Sequence, residues 1–84
     1  MKQIKDYIGR TVRIELSDTR FIIGVLAFYH FDNRTIHLND YIMSQQALYS
    51  NLVGGQRVMV SPEVTLEKGP FKVINADQWR DITG

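Results

Sequence analysis

The sequence predicts an all-β domain: a short N-terminal helix followed by a small, strongly bent antiparallel barrel of five strands. Three observations carry this. Apolar and polar residues alternate strictly over 11–16 and again over 35–39, the period of a strand with one face buried. Between them, residues 20–29 (RFIIGVLAFY) are apolar on both faces and interrupted by Gly24. A glycine inside a strand marks a sharp bend or a close backbone approach, and a strand bent this way can serve two sheets at once, which lets a small barrel close.

A chain of 84 residues is one domain, 1–84. A domain of this size buries roughly 60–65% of its unfolded surface, so it is marginal alone and gains from association. Apolar residues make up 44% and charged residues 23%, a globular balance. The absence of cysteine excludes disulfides, thiolate metal sites and cysteine nucleophiles. No apolar run approaches the ~18 residues of a membrane span, and no basic-then-apolar leader precedes the fold. The expectation is a soluble, cytoplasmic protein with no membrane partner. Net charge is +1, with six Lys/Arg against five Asp/Glu in residues 1–42 and four against four in 43–84. Dedicated phosphate binders show a clear basic excess. Nucleic acid would have to be held here by a few cations, multiplied by symmetry.

Along the chain, Ile4, Tyr7 and Ile8 stand at helical spacing in residues 2–8, and Gly9 ends the helix. So short a helix persists only if packed. In 11–16, Val12, Ile14 and Leu16 face one side, and Thr11, Arg13 and Glu15 the other. Ser17, Asp18 and Thr19 form a turn of residues that bond local backbone. The bent strand 20–29 follows, then the polar turn 30–34 (HFDNR). In the third strand, 35–43, Ile36 and Leu38 point inward and Thr35, His37 and Asn39 outward. Residues 44–56, with the Gly54-Gly55 breaker, read as irregular. Strand pieces are expected over 57–66 and 71–75 around a turn at 67–70, with Pro62 at an edge or bulge. A tight turn at 75–77 leads to a last strand, 79–83, with Trp79 and Ile82 facing the core.

The order helix, strand, Asp-x-Arg turn and glycine-bearing strand resembles the first motif of the Sm/LSm family. The residues are Val12-Ile14-Leu16, Asp18-Thr19-Arg20, Gly24-Val25-Leu26, Tyr29, the loop HFDNRT and Ile36-His37-Leu38-Asn39-Asp40. Residues 74–79 (INADQW) are similar to the family's second motif. The chain departs from the pattern at Thr19, in place of glycine, and at Asn75-Ala76, in place of Arg-Gly. Its 30–34 loop is one residue longer, with Asp32 and Asn33 adjacent. The segment before the fourth strand is also long. The resemblance implies an Sm-like, SH3-like barrel that assembles into a homo-oligomeric ring of about five to seven subunits, with strand four of one copy pairing strand five of the next. It implies a pore lined by the 30–34 and 75–77 loops that holds single-stranded RNA, or DNA as a second choice. RNA processing, chaperoning or protection would be the role.

The residues suit that site. Phe31 or His30 offers a stacking surface for any base. Asn33 can bond a base edge as donor and acceptor, and Arg34 can contact phosphate. Asp32 is expected with them among the nucleic-acid-binding residues of this loop. In the second loop Asp77, which would repel phosphate, is expected to orient Asn75. His30, Asp32 and His37 are poorly spaced for a metal, and no serine lies in a nucleophile context. The reading is therefore non-enzymatic, with no cofactor. The alternative is a small β-barrel module whose partner is a protein.

Overall fold

The structure, a computed structural model, describes residues 3–17, 19–51 and 54–84. These form a 3-10 helical turn, Ile4–Tyr7, and strands β1 (Thr11–Leu16), β2 (Arg20–His30), β3 (Thr35–Gln45), β4 (Leu48–Asn51), β5 (Arg57–Ser61), β6 (Val64–Ile74) and β7 (Trp79–Thr83). A five-stranded antiparallel sheet runs in the order β6-β3-β2-β1-β7, and β4 and β5 form a separate two-stranded hairpin.

The sheet curls. β6 and β7 lie at its opposite edges, yet only residues 75–78 join them. That link is a closed turn, with the Gln78 N–H donating to the Asn75 carbonyl at 3.0 Å. Five flat strands spaced at about 4.8 Å would hold their edges roughly 19 Å apart, whereas a β-turn spans less than about 7 Å. Side-chain alternation agrees, since one core cluster draws Val12, Ile14 and Leu16 from β1, Ile22 and Leu26 from β2, Ile36, Leu38 and Tyr41 from β3, Ile74 from β6 and Trp79 from β7. Among the described residues of one chain the sheet stays open, because β6 pairs only with β3 and β7 only with β1.

At Gly24 the backbone of β3 lies close against β2. A Cβ placed there would lie 3.1 Å from the Asn39 carbonyl oxygen and 3.2 Å from the Tyr41 Cα and Cβ. The register slips between Ile23 and Val25, and Asp40 opposite takes a φ of 50°, so both strands kink at one level. The Tyr41 ring then lies over Gly69 of β6, its direct cross-strand neighbour. The Tyr41 hydroxyl donates to Glu67 at 2.6 Å, and Glu67 also accepts from Lys72 at 2.7 Å. The glycines thus make room for a buried tyrosine that spans two strands.

Several expectations change. The N-terminal helix, expected over 2–8, is a single turn over Ile4–Tyr7. The Gln3 N–H donates to the Asp6 carboxylate at 2.9 Å, and Gly9, at φ 85°, sends its N–H to the Leu26 carbonyl at 2.8 Å. That second bond commits the chain to the sheet before another turn can form. Ile4 and Tyr7 pack on the core, but Ile8 is exposed. Lys2 and the turn residue Asp18 lie outside the described residues. The turn expected at 67–70 is strand instead, because β6 runs unbroken through Lys68-Gly69-Pro70. An edge strand leaves alternate N–H groups unpaired, so it tolerates a proline. The break falls at Pro62-Glu63. Within the segment read as irregular, β3 continues to Gln45 and the β4–β5 hairpin follows, turning through Gly54 and Gly55 at φ 91° and 78°. The molecule measures 48 × 30 × 22 Å, and its radius of gyration is 14.9 Å, against about 12 Å for a compact chain of this length. Thr35, expected outward, is buried, its N–H donating to the Asn33 Oδ1 at 3.2 Å.

Candidate nucleic-acid interface

The 30–34 turn closes the β2–β3 hairpin and is docked on β7. Arg34 adopts φ 55°, and its carbonyl accepts the Trp79 indole N–H at 2.8 Å. The Arg34 guanidinium lies 4.3 Å from the centre of the Trp79 ring. Trp79 is itself core, so the turn is anchored to the interior of the curled sheet by an indole that has both an apolar body and a polar edge. The same residue opens β7 directly after the 75–78 turn. The two loops singled out in the sequence therefore meet through Trp79, with Arg34 at the junction.

The remaining turn residues divide between two faces. Phe31 is 83% exposed. It lies edge-on to Tyr29, with centroids 6.4 Å apart, and together with Ile4, Lys5 and Ile8 the two rings line a largely apolar groove of about 360 Å³. Lys5 places a cation at its rim. His30 points the other way, as period-two alternation requires. It packs against Phe28 at 4.5 Å and His37 at 5.0 Å between ring centroids, on the outer face of the sheet. Asp32 and Asn33 are exposed, and the Asn33 Oδ1 is engaged by the Thr35 N–H.

The second turn is not held as expected. Its reciprocal bonds run through Gln78, whose Oε1 accepts the Asn75 N–H at 2.9 Å. Asp77 faces a separate polar cleft of about 250 Å³, with Arg20 and Lys72 nearby. It thus stands apart from the 30–34 turn, and no described bond links it to Asn75. Sequence spacing also underrated the two histidines. His30 and His37 do converge, because β2 and β3 bring them onto one face. Asp32 does not join them, and among the described residues no group of three or more His, Asp or Glu is placed to hold a metal.

Sequence reading missed Phe28, His37 and Phe71 as a group. Alternation along β2 pairs Phe28 with His30, but His37 and Phe71 join only once the registers are known. Beside the core, the Lys72 ammonium and the Tyr41 hydroxyl both bond Glu67 and hold its carboxyl below its ordinary pKa. The bond to Glu67, then burial, raises the Tyr41 phenol. A scan against protein-family models finds none that matches this chain, and a search of curated proteins finds no relative.

Proposed function

We propose that this chain is a non-enzymatic Sm-like subunit that joins copies of itself into a ring and binds single-stranded nucleic acid, RNA ahead of DNA. The observation that carries the reading is the curled sheet with two unpaired edges, β6 and β7, joined by one short turn. Such edges pair with other strands unless they are covered. Pairing β6 of one copy with β7 of the next closes each barrel and leaves no free edge, a head-to-tail contact that makes rings when the rotation closes. The 30–34 turn would repeat around the axis. Phe31 would then supply a stacking surface, and Arg34, with Lys5 at the groove, the phosphate contacts. Asn75 and Asp77 enter this reading only as the turn that positions Trp79. The biological role would be RNA chaperoning, processing or protection.

A filter-binding titration with short U-rich and A-rich RNA at low salt tests the activity. Binding that weakens in Phe31→Ala and in Arg34→Asn, with the oligomer intact, supports it. Asparagine is chosen because it tolerates the left-handed backbone at 34. No measurable binding at low salt overturns it. A second reading, a protein-binding module, is favoured by the near-neutral charge and by Val58, Met59 and Val60, which are exposed on the β4–β5 hairpin. Intact assembly without RNA binding would support that reading.

A further inference from the structure

The outer face of the sheet carries a row of rings that the turn does not use. Phe28 and His30 stand two apart on β2, His37 stands opposite Phe28 on β3, and Phe71 follows on β6. Centroid distances along the row are 4.5 Å from His30 to Phe28, 5.9 Å from Phe28 to His37 and 5.7 Å from His37 to Phe71. Phe28 is 51% and Phe71 53% exposed. Both are large apolar groups left in solvent on the convex side, where they add nothing to the core.

We propose that this row is a second base-stacking surface, over which a single strand continues after leaving the 30–34 turn. The inference rests on the nucleic-acid reading above. Three features point to this occupant. The row is continuous with the turn, since His30 is both the last residue of β2 and a member of the row. Its members are planar rings on adjacent strands, the form in which a sheet offers stacking faces to single-stranded bases. Two of them are imidazoles, whose ring nitrogens donate to or accept from base edges and donate to phosphate when protonated, which a purely aliphatic protein contact would not need. The steps of 4.5–5.9 Å exceed the ~3.4 Å rise of stacked bases. Bases would therefore lie singly on Phe28 and on Phe71, splayed from one another, with His37 between them. The strand would run from β2 toward β6, the edge at which a second copy is proposed to join. Each protomer would then engage more nucleotides than its turn alone can hold.

Fluorescence anisotropy with end-labelled U-rich RNA of about 5 and about 15 nucleotides tests this on the full chain. Leucine at 28 or 71 keeps an apolar side chain and removes the ring. Phe28→Leu and Phe71→Leu are each expected to weaken the long RNA about 5- to 150-fold, the value of one lost base stack. The short RNA, the thermal midpoint and the salt dependence of binding should stay unchanged, because stacking releases no counterions. Unchanged affinity of both variants for the long RNA overturns the inference, as does absence of any RNA binding. Phe31→Leu separates the two sites. If it is silent while Phe71→Leu weakens the long RNA, the turn reading falls and the sheet-face inference stands. If the face variants change only the mass in solution, the row is a contact between copies and the inference fails.

Discussion

Replacing Gly24 by alanine tests the packing that bends the sheet. The added Cβ would sit 3.1 Å from the Asn39 carbonyl oxygen and 3.2 Å from the Tyr41 Cα and Cβ. The first two are backbone atoms, which cannot swing aside, so the β2–β3 ladder must open by a few tenths of an ångström. Overpacking of this kind costs about 1–3 kcal/mol. Against it, Gly→Ala at an ordinary φ gains about 0.4–1 kcal/mol by restricting the unfolded chain. The net is roughly 0.5–2 kcal/mol of destabilisation. At about 2.1 cal/mol/K per residue, unfolding this chain carries an entropy near ~0.18 kcal/mol/K, so the midpoint falls by about 3–11 °C. Gly69→Ala is the internal control. The three atoms nearest its Cβ all belong to the outer end of the Tyr41 side chain, at 3.2–3.6 Å, and a side-chain end yields where a backbone carbonyl does not. That variant is expected within about 0.5 kcal/mol of the parent. Thermal melts followed by far-UV circular dichroism, at one protein concentration to hold association constant, give both numbers. A Gly24→Ala midpoint at or above that of the parent, or a larger loss in Gly69→Ala, would show that the Asn39 and Tyr41 backbone does not set the limit at position 24.

Other consequences are equally direct. Trp79→Phe removes the indole donor to the Arg34 carbonyl and trims the core. It should cost about 1–3 kcal/mol in a chemical melt and weaken RNA binding further by freeing the 30–34 turn; an unchanged melt would count against the anchor. Glu67 has a depressed pKa in the folded chain, so its contribution is present above its ordinary 4.5 and is lost as pH falls through the lower folded value. Thermal midpoints should therefore drop more steeply below pH 4.5 in the parent than in Glu67→Gln. At the alkaline end the Tyr41 phenol is raised, so its share is complete below pH 10 and fades as pH climbs through the folded value; Tyr41→Phe should flatten that limb. Arg34→Asn should reduce the slope of log affinity against log salt if Arg34 makes the proposed phosphate contact, and an unaltered slope would remove Arg34 from the binding reading.

Strands with one buried face were legible in the sequence, and segments where two signals compete were not. Val12, Ile14 and Leu16 alternate against polar neighbours, and β1 follows from them directly. Trp79 and Ile82 were legible as core despite their odd spacing, which a register shift between Glu15 and Leu16 accommodates. The glycine at 24 announced a close approach, but not the tyrosine it admits. Lys68-Gly69-Pro70 carries strong turn chemistry, and the edge position of β6, which only the fold supplies, overrides it. At the candidate site, residue types were legible and directions were not. Consecutive residues at the end of β2 point to opposite faces, so His30 and Phe31 present their rings on different sides of the turn. The ring row needed the part of the β3–β6 pairing that sets Asn39 against Phe71, residues more than thirty positions apart.

The proposed assembly decides whether the two open edges and the turn between them belong to a pore. Static light scattering on the purified chain measures this directly. Five to seven copies of a 9.7 kDa chain give a particle of about 49–68 kDa, and the mass should fall when a proline is placed at a β7 position whose N–H faces outward. A parent mass of 9.7 kDa, unchanged across concentration, would contradict the ring and the pore built on it.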